Sequence, residues 1–352
     1  MSIAVVIVNY HTEHLLAEVL APLVGHDLVR EIFVIDNSGG LQGNGFLLEF
    51  PKVRLLGNGT NIGFGAAVNM AAELSSCRWL LIINPDMLLL PGCIDAMLQA
   101  ALAHNVPLVG PRFFWDEGRI FRLPPATGQS WWLGLGHDCG SRHWLDGELY
   151  SFYWTLRHDR FWSQKEPFFE PFLSGACLLL DLAWLQSWDD HVFDARFFLY
   201  FEDTDLCVRV LERGQRPLCV PTAEVVHFWN QAPGENKMEL MDQACTAFWF
   251  KHYQACPGRM DSAGEQKQKK WKELGPIGPG FEFAWPEQTN TKTLFFEFGL
   301  DPLFVPFAQA RIEGNSFVFP GSMWDRLAPG AYFSRIRCPV QGELLIWRWK
   351  KD

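Results

Sequence analysis

The stretch IAVVIVNY, Ile3–Tyr10, decides the fold class. Six apolar residues run without alternation and end on Asn9 and Tyr10. Such a run reads as a strand buried on both faces, as in a parallel sheet covered by helices. The following TEHLLAEVLAPL has helical spacing. Beyond it, EIFVIDNS (Glu31–Ser38), KVRLLGN (Lys52–Asn58) and WLLIINPD (Trp79–Asp86) repeat the strand pattern. NIGFGAAVNMAAELS, between the last two, reads as a helix of small residues opened by glycines. The expected fold is α/β, a mostly parallel central sheet flanked by helices. Ligands of such sheets bind beyond the carboxyl ends of the strands. Asn9, Tyr10, Asp36, Asn37, Asn84 and Asp86 are therefore expected to line one crevice.

Further along, Phe113 to Pro171 is rich in Trp, His, Arg and Gly without clear periodicity, and reads as an acceptor-side insertion or lid. FLSGACLLLDLAWLQSW restores a strand and a helix, and TDLCVRVLERG is a helix closed by Gly214. RPLCVPTAEVVHFWN is a strand with a polar end, and ELMDQACTAFWFKHY a helix with an aromatic face. Then SAGEQKQKKWKELGPIGPG turns charged and Gly/Pro-rich, as a linker does. TLFFEFGL, SFVFPG, AYFSRIR and ELLIWRWK follow as short strands between turns. The expected division is an α/β domain over 1–260, a linker over 261–284 and a sandwich-like β module over 285–352.

The 352 residues are 48% hydrophobic and 20% charged, enough for a core in each of about two domains. A formal net charge of -10 argues against nucleic acid, whose backbone demands clustered Lys and Arg. An acidic chain can still take a phosphorylated small molecule if a metal or helix N-termini supply local positive charge. Nine dispersed cysteines without a CxxC pair read as reduced, mostly buried thiols in a cytoplasmic protein. The N-terminal apolar run is short, without a basic flank, and reads as a strand rather than a signal peptide. Peripheral contact with the inner membrane face and homo-oligomerisation stay open.

Several residues have chemistry in reach. Asp86 at the end of INPD can hold a hard divalent cation that also binds diphosphate oxygens, or simply finish a turn. Asn61 and Gly63 in the glycine-rich stretch can bring backbone amides to a phosphate or ribose, or serve tight strand-to-helix packing. Asp36 can accept from a nucleobase and Tyr10 can stack on it, or both are ordinary strand-end residues. Ser174 and Gly175 offer a small surface for a sugar, or a tight strand start. His227 ends AEVVH and can complete a metal shell or be structural. In FLYFEDTDLC, Glu202, Asp203 and Asp205 sit at a helix start, where the dipole favours acids by about 0.3–1 kcal/mol each. The aromatic approach adds desolvation, which tunes a carboxylate towards a general base.

Taken in order, VVIVNY, VIDNSGG, NIGFGAAVN, IINPD, FLSGACLLL, FDARFFLYFEDTDLCVRVLERG and VPTAEVVHFW resemble family-2 glycosyltransferases, within them the rhamnosyltransferase-like branch. The resemblance covers about residues 3–256 and includes FWFKHY, similar to the helix that closes such domains. It implies a GT-A fold, a nucleotide-diphosphate sugar donor and inversion at the anomeric carbon. Within it Asp36 would contact the base, with Tyr10 and Asn9 nearby, and Asn61 and Gly63 would lie beside ribose and phosphates. Asp86 would bind Mg2+ or Mn2+, with Asn84 in place of a second acid and His227 near the metal or diphosphate. Asp203 would be the general base, with Glu202, Ser174 and Gly175 beside the donor. A dTDP- or UDP-sugar donor and a glycan, lipid-linked or protein-linked acceptor are implied. Two other readings remain. One is a non-catalytic nucleotide-sugar or glycan-binding protein on a degenerate transferase fold. The other is a sugar nucleotidyltransferase, disfavoured because no early Gly-rich loop carries the necessary Arg and Lys.

Overall fold

A computed structural model describes residues 1–41, 45, 50–57, 59–128, 144–228, 236–254, 271–286 and 293–352. The chain forms two compact units, Met1–Arg112 with Gln164–Gly258, and Phe113–Ser163 with Arg259–Asp352.

In chain order the elements begin with β1 (Ile3–Asn9), α1 (Leu16–Val24), β2 (Val29–Asp36), β3 (Val53–Leu56) and α2 (Phe64–Leu74). β4 (Trp79–Ile83), β5 (Met87–Leu89), α3 (Cys93–His104) and β6 (Leu108–Phe114) follow. β7 (Phe121–Arg122) and α4 (Trp144–Ser163) belong to the second unit. The chain then returns to the first unit with β8 (Phe168–Phe169), β9 (Cys177–Asp181), α5 (Leu182–Gln186), α6 (Glu202–Glu212), β10 (Leu218–His227) and α7 (Lys237–Tyr253). The second unit ends with β11 (Lys272–Pro276), β12 (Glu282–Ala284), β13 (Leu294–Gly299), β14 (Ala308–Ile312), β15 (Ser316–Val318), α8 (Gly321–Arg326), β16 (Gly330–Cys338) and β17 (Gly342–Lys351).

In the first unit the strand order is β6-β9-β4-β1-β2-β3. β4, β1, β2 and β3 are mutually parallel, whereas β9 runs antiparallel to both β4 and β6. Every residue of β1, β4 and β9 is buried, which is why their sequences show no alternation. Fully burying each large aliphatic side chain contributes about 1.5–3 kcal/mol, so these strands anchor the unit. β9 ends on Asp181, which accepts from the Ala183 and Trp184 amides and starts α5 at that point. The register Asn9↔Asp36 brings β1 and β2 to an end together.

The second unit is a sheet of order β11-β17-β16-β13-β14-β7 with a separate β12-β15 ribbon. An aromatic core joins them: Phe283 of β12 lies 5.1 Å from Phe296 of β13 and 5.8 Å from Trp349 of β17, centroid to centroid. Glu297 of β13 is fully buried and accepts from Arg335 Nε at 2.6 Å and Arg337 Nε at 2.7 Å. Arg337 also reaches Asp159 of α4 at 2.7 Å, and Arg335 reaches Thr155 of α4 at 2.9 Å.

The division therefore differs from the sequence expectation in two places. The second unit takes in Phe113–Ser163, because α4 completes the charge cluster around Glu297. Half of the expected linker 261–284 is structural: β11 and β12 lie there, with Ile277 and Phe283 in the aromatic core. The remainder of that linker, 261–270, lies outside the described residues. Among the described residues seven cysteines are free thiols, and no helix is long and apolar enough to cross a membrane.

Candidate active site

β1 pairs with β2 on one side and with β4 on the other, so the chain's direction of winding reverses at β1. A crevice opens beyond the carboxyl ends at such a reversal. Here a cavity of about 490 Å³ lies between residues from β1, the turn after β4, α6 and β10, within the range of small-molecule sites. Tyr10, Asn61, Gly63, Asn84, Asp86, Ser174, Gly175, Glu202, Asp203 and His227 all line it. Residues from Val8 to Leu240 are thus gathered by the fold into one cavity.

Asn9 and Asp36 are not among the lining residues. Both are buried and turned into the strand-to-loop junction. Asn9 Nδ2 donates to Asp36 Oδ1 at 3.1 Å, and its Oδ1 accepts from the Thr12 hydroxyl at 2.9 Å. Asp36 further accepts from the amides of Ser38, Gly39 and Leu41 at 3.0–3.1 Å. Burial would raise the Asp36 carboxyl, but these amides and Asn9 outweigh it and hold it below the usual range. It is the next residue, Asn37, that faces the cavity. Its Nδ2 donates to the Gly63 carbonyl at 3.3 Å, and its buried Oδ1 finds no partner among the described residues.

Two glycines allow close approach. Gly63 caps α2 at φ +84°, and a Cβ there would come within 2.6 Å of the Phe198 carbonyl. Gly175 donates its amide to Asp203 Oδ2 at 2.7 Å, and a Cβ there would meet Asp203 Cβ at 2.9 Å.

Before α6, Tyr200 and Phe201 both adopt positive φ, 72° and 67°. Consecutive non-glycine residues in this region cost about 1–3 kcal/mol each and persist only when the surroundings enforce them. They turn the chain so that the first two residues of α6, Glu202 and Asp203, both face the cavity. Asp203 is held at both oxygens, Oδ2 by Gly175 and Oδ1 by the Thr204 amide at 2.6 Å. Burial nonetheless pushes its carboxyl up, against these amides. Glu202 is only 7% exposed, and its Oε2 finds no hydrogen-bond partner among the described residues. Burial and the neighbouring Asp203 charge push it up to about 8.

β5 pairs with the end of β10 in the register Met87↔His227, which sets His227 beside Asp86. His227 Nε2 lies 3.6 Å from Asp86 Oδ2, and the Phe228 amide donates to the Asp86 carbonyl at 3.1 Å. Two donors each about 2.1 Å from one ion sit about 3–3.5 Å apart, so the pair fits a shared cation. No group of three or more His, Cys, Asp or Glu converges among the described residues. The residues therefore fit an ion with two protein ligands, its other positions going to water and substrate phosphate.

Other residues of the site carry no recognisable motif. Asp205 is fully buried and accepts from Arg209 Nε at 2.8 Å, with Lys251 and His252 of α7 on its other oxygen. Arg209 goes on to the Val192 carbonyl at 2.6 Å and Asp190 at 2.8 Å. Asp205 is thus more than a helix-start acid: it ties α7 to α6. Asn236, Lys237 and Leu240, at the start of α7, reach the same cavity.

The profile of glycosyl transferase family 2 matches residues 4–176. Over 204 residues the chain is 31% identical to the N-acetylglucosaminyl-diphospho-decaprenol L-rhamnosyltransferase of Mycobacterium tuberculosis. That alignment covers 53% of this chain, and it spans 62% of the relative's length. Among solved structures, that of GalNAc-T7 with UDP, GalNAc and Mn2+ aligns at a TM-score of 0.50 and 12% identity. It covers 70% of this chain and 47% of that one. The strand order, the crevice at its reversal and the likeness to that structure agree on a GT-A fold, and residues 4–176 match the profile of glycosyl transferase family 2.

Proposed function

We propose that the protein transfers a sugar from a nucleotide-diphosphate donor to a hydroxyl of a lipid-linked glycan, inverting the anomeric carbon. Likeness to the mycobacterial enzyme favours rhamnose as the group transferred, and dTDP-rhamnose is the donor to try first. The observation that carries the reading is Asp203, held by the Gly175 amide inside the cavity that Asp86 and His227 also line.

In the proposed step the acceptor oxygen attacks the anomeric carbon and a new C–O bond forms. The bond from that carbon to the diphosphate oxygen breaks, and its electron pair leaves with the nucleotide. The hydroxyl proton passes to Asp203. The Gly175 and Thr204 amides fix the orientation of that carboxylate, and partial burial keeps it basic enough to accept the proton. Asp86 and His227 would hold the Mg2+ or Mn2+ ion. When bound, such an ion supplies positive charge against the negative charge developing on the leaving diphosphate. Tyr10 and Asn37 lie where the nucleoside would be received.

The test is transfer from dTDP-rhamnose to N-acetylglucosaminyl-diphospho-lipid, with the product's anomeric configuration read by NMR. Inverted product, lost on chelation and restored by Mn2+ or Mg2+, is expected. Retained configuration, or full activity after exhaustive chelation, would overturn the corresponding part of the reading.

A further inference from the structure

Glu202 and Asp203 are adjacent carboxylates in one cavity, yet their surroundings differ. Asp203 receives N–H donors at both oxygens. Among the described residues Glu202 Oε2 receives none, although its side chain is more than nine-tenths buried and lines the same cavity. Its approach is enforced by two successive left-handed residues, Tyr200 and Phe201, so the placement is built rather than incidental. Of the other ionisable groups lining the cavity, Asp86, His227, Lys237, Tyr10 and Tyr200 make no hydrogen bond to that oxygen. Two neighbouring carboxylates cannot both ionise cheaply, and the proton goes to the one without compensating donors.

We propose that Glu202 is held as the neutral acid and donates its Oε2–H to a hydroxyl oxygen of a sugar bound in the cavity, selecting for a hydroxyl at that place. The inference rests on reading the cavity as a glycosyl-transfer site. It divides the labour between the two acids: Asp203 takes a proton, and Glu202 keeps one. The upward shift of Glu202, from burial first and the Asp203 charge second, accords with this division. A buried donor without a partner is costly, so an analogue lacking the hydroxyl would be discriminated against.

The experiment compares Glu202→Gln and Glu202→Leu with the unaltered protein in the presence of Mn2+. Gln keeps a neutral donor of the same shape, whereas Leu has none. Calorimetric affinities for dTDP and dTDP-L-rhamnose are measured, with the KM for the lipid-linked acceptor. Leu should weaken binding about 5- to 50-fold, and Gln should recover most of that loss. A loss confined to dTDP-rhamnose, with dTDP affected little, assigns the hydroxyl to the donor sugar. A loss confined to the acceptor KM assigns it to the acceptor. Gln falling as far as Leu, or Leu matching the unaltered protein, overturns the proposal. An unaltered protein that binds and transfers nothing overturns the functional reading itself, and is distinguishable for that reason. Independently of any substrate, the infrared difference spectrum between the unaltered protein and E202Q at pH 7 should show a protonated carboxyl band. A carboxylate band in its place contradicts the assignment even if a variant binds poorly.

Discussion

At the scale of single residues, Gly175 is as decisive as the acid it touches. Its hydrogen atom is the only side chain that lets the turn before β9 approach α6 closely enough for the amide to hold Asp203 at 2.7 Å. Gly175→Ala forces a 2.9 Å contact with Asp203 Cβ, so the carboxylate must shift. Displacements of about 1 Å at a reacting group cost about 10²-fold. Steady-state kinetics should therefore show kcat falling by about that factor while dTDP affinity changes little; a near-normal kcat would mean that the carboxylate position is not critical. That Asp86, Asp203 and His227 would meet at one cavity was legible in the sequence because each lies at or beside the end of an element. Asn9 and Asp36 share that position but point the other way, and Asn37 faces the cavity instead. Side-chain direction at a strand end depends on the loop that follows, here Ser38–Leu41, and its amides capture Asp36.

At the scale of elements, the pairing of α6 with α7 is held by one buried charge. Asp205 faces Arg209, Lys251 and His252, and although burial opposes ionisation, these partners hold its carboxyl below the usual range. Asp205→Ala removes the acceptor that Arg209, Lys251 and His252 share, although Arg209 keeps Asp190 and Lys251 keeps Asp194; breaking a buried pair of this kind costs about 3–5 kcal/mol. Urea unfolding should show a matching loss of stability; a loss under about 1 kcal/mol would mean that the clamp is incidental. The buried strands of the first unit were readable because short, continuous Val/Ile/Leu runs ending in polar residues suit a strand covered on both faces. α4 was not, because its apolar residues fall on every side: Trp154 and Phe161 are buried, while Leu149, Phe152, Tyr153 and Leu156 are exposed. The 3.6-residue period is lost in such a helix.

At the scale of the whole molecule, pH acts on the second unit through two buried groups. In the second unit His158 is buried against Phe307, and burial pushes it down to about 3, from an ordinary value of about 6.5. Between those values the unfolded chain binds a proton that the folded chain does not, so stability falls as pH drops below about 6.5. Glu297 is buried too, but Arg335 and Arg337 outweigh the burial and hold it down at about 2. The stability it contributes is present above the ordinary carboxylate value of about 4.3 and is lost as pH falls towards 2. Acid titration followed by tryptophan fluorescence should show the second unit, with Trp324, Trp347 and Trp349 in its core, weakening from about pH 6.5 downward. His158→Phe should flatten the upper part of that slope, and an unchanged slope would contradict the role given to His158. The division into units was hidden because the contacts that make it are remote in sequence, Asp159 to Arg337 and Thr155 to Arg335. Composition marks a linker by its charge and glycine content, and cannot show that Ile277 and Phe283 enter a core.

The most direct test of Asp203 as the base is Asp203→Asn, assayed with dTDP-rhamnose, Mn2+ and N-acetylglucosaminyl-diphospho-lipid beside the unaltered protein. Asn keeps the shape and the Thr204 and Gly175 neighbours but cannot take a proton. Transfer should fall by at least about 10²-fold while dTDP affinity stays within a few-fold. Transfer at a near-normal rate in D203N would remove Asp203 from the role of base.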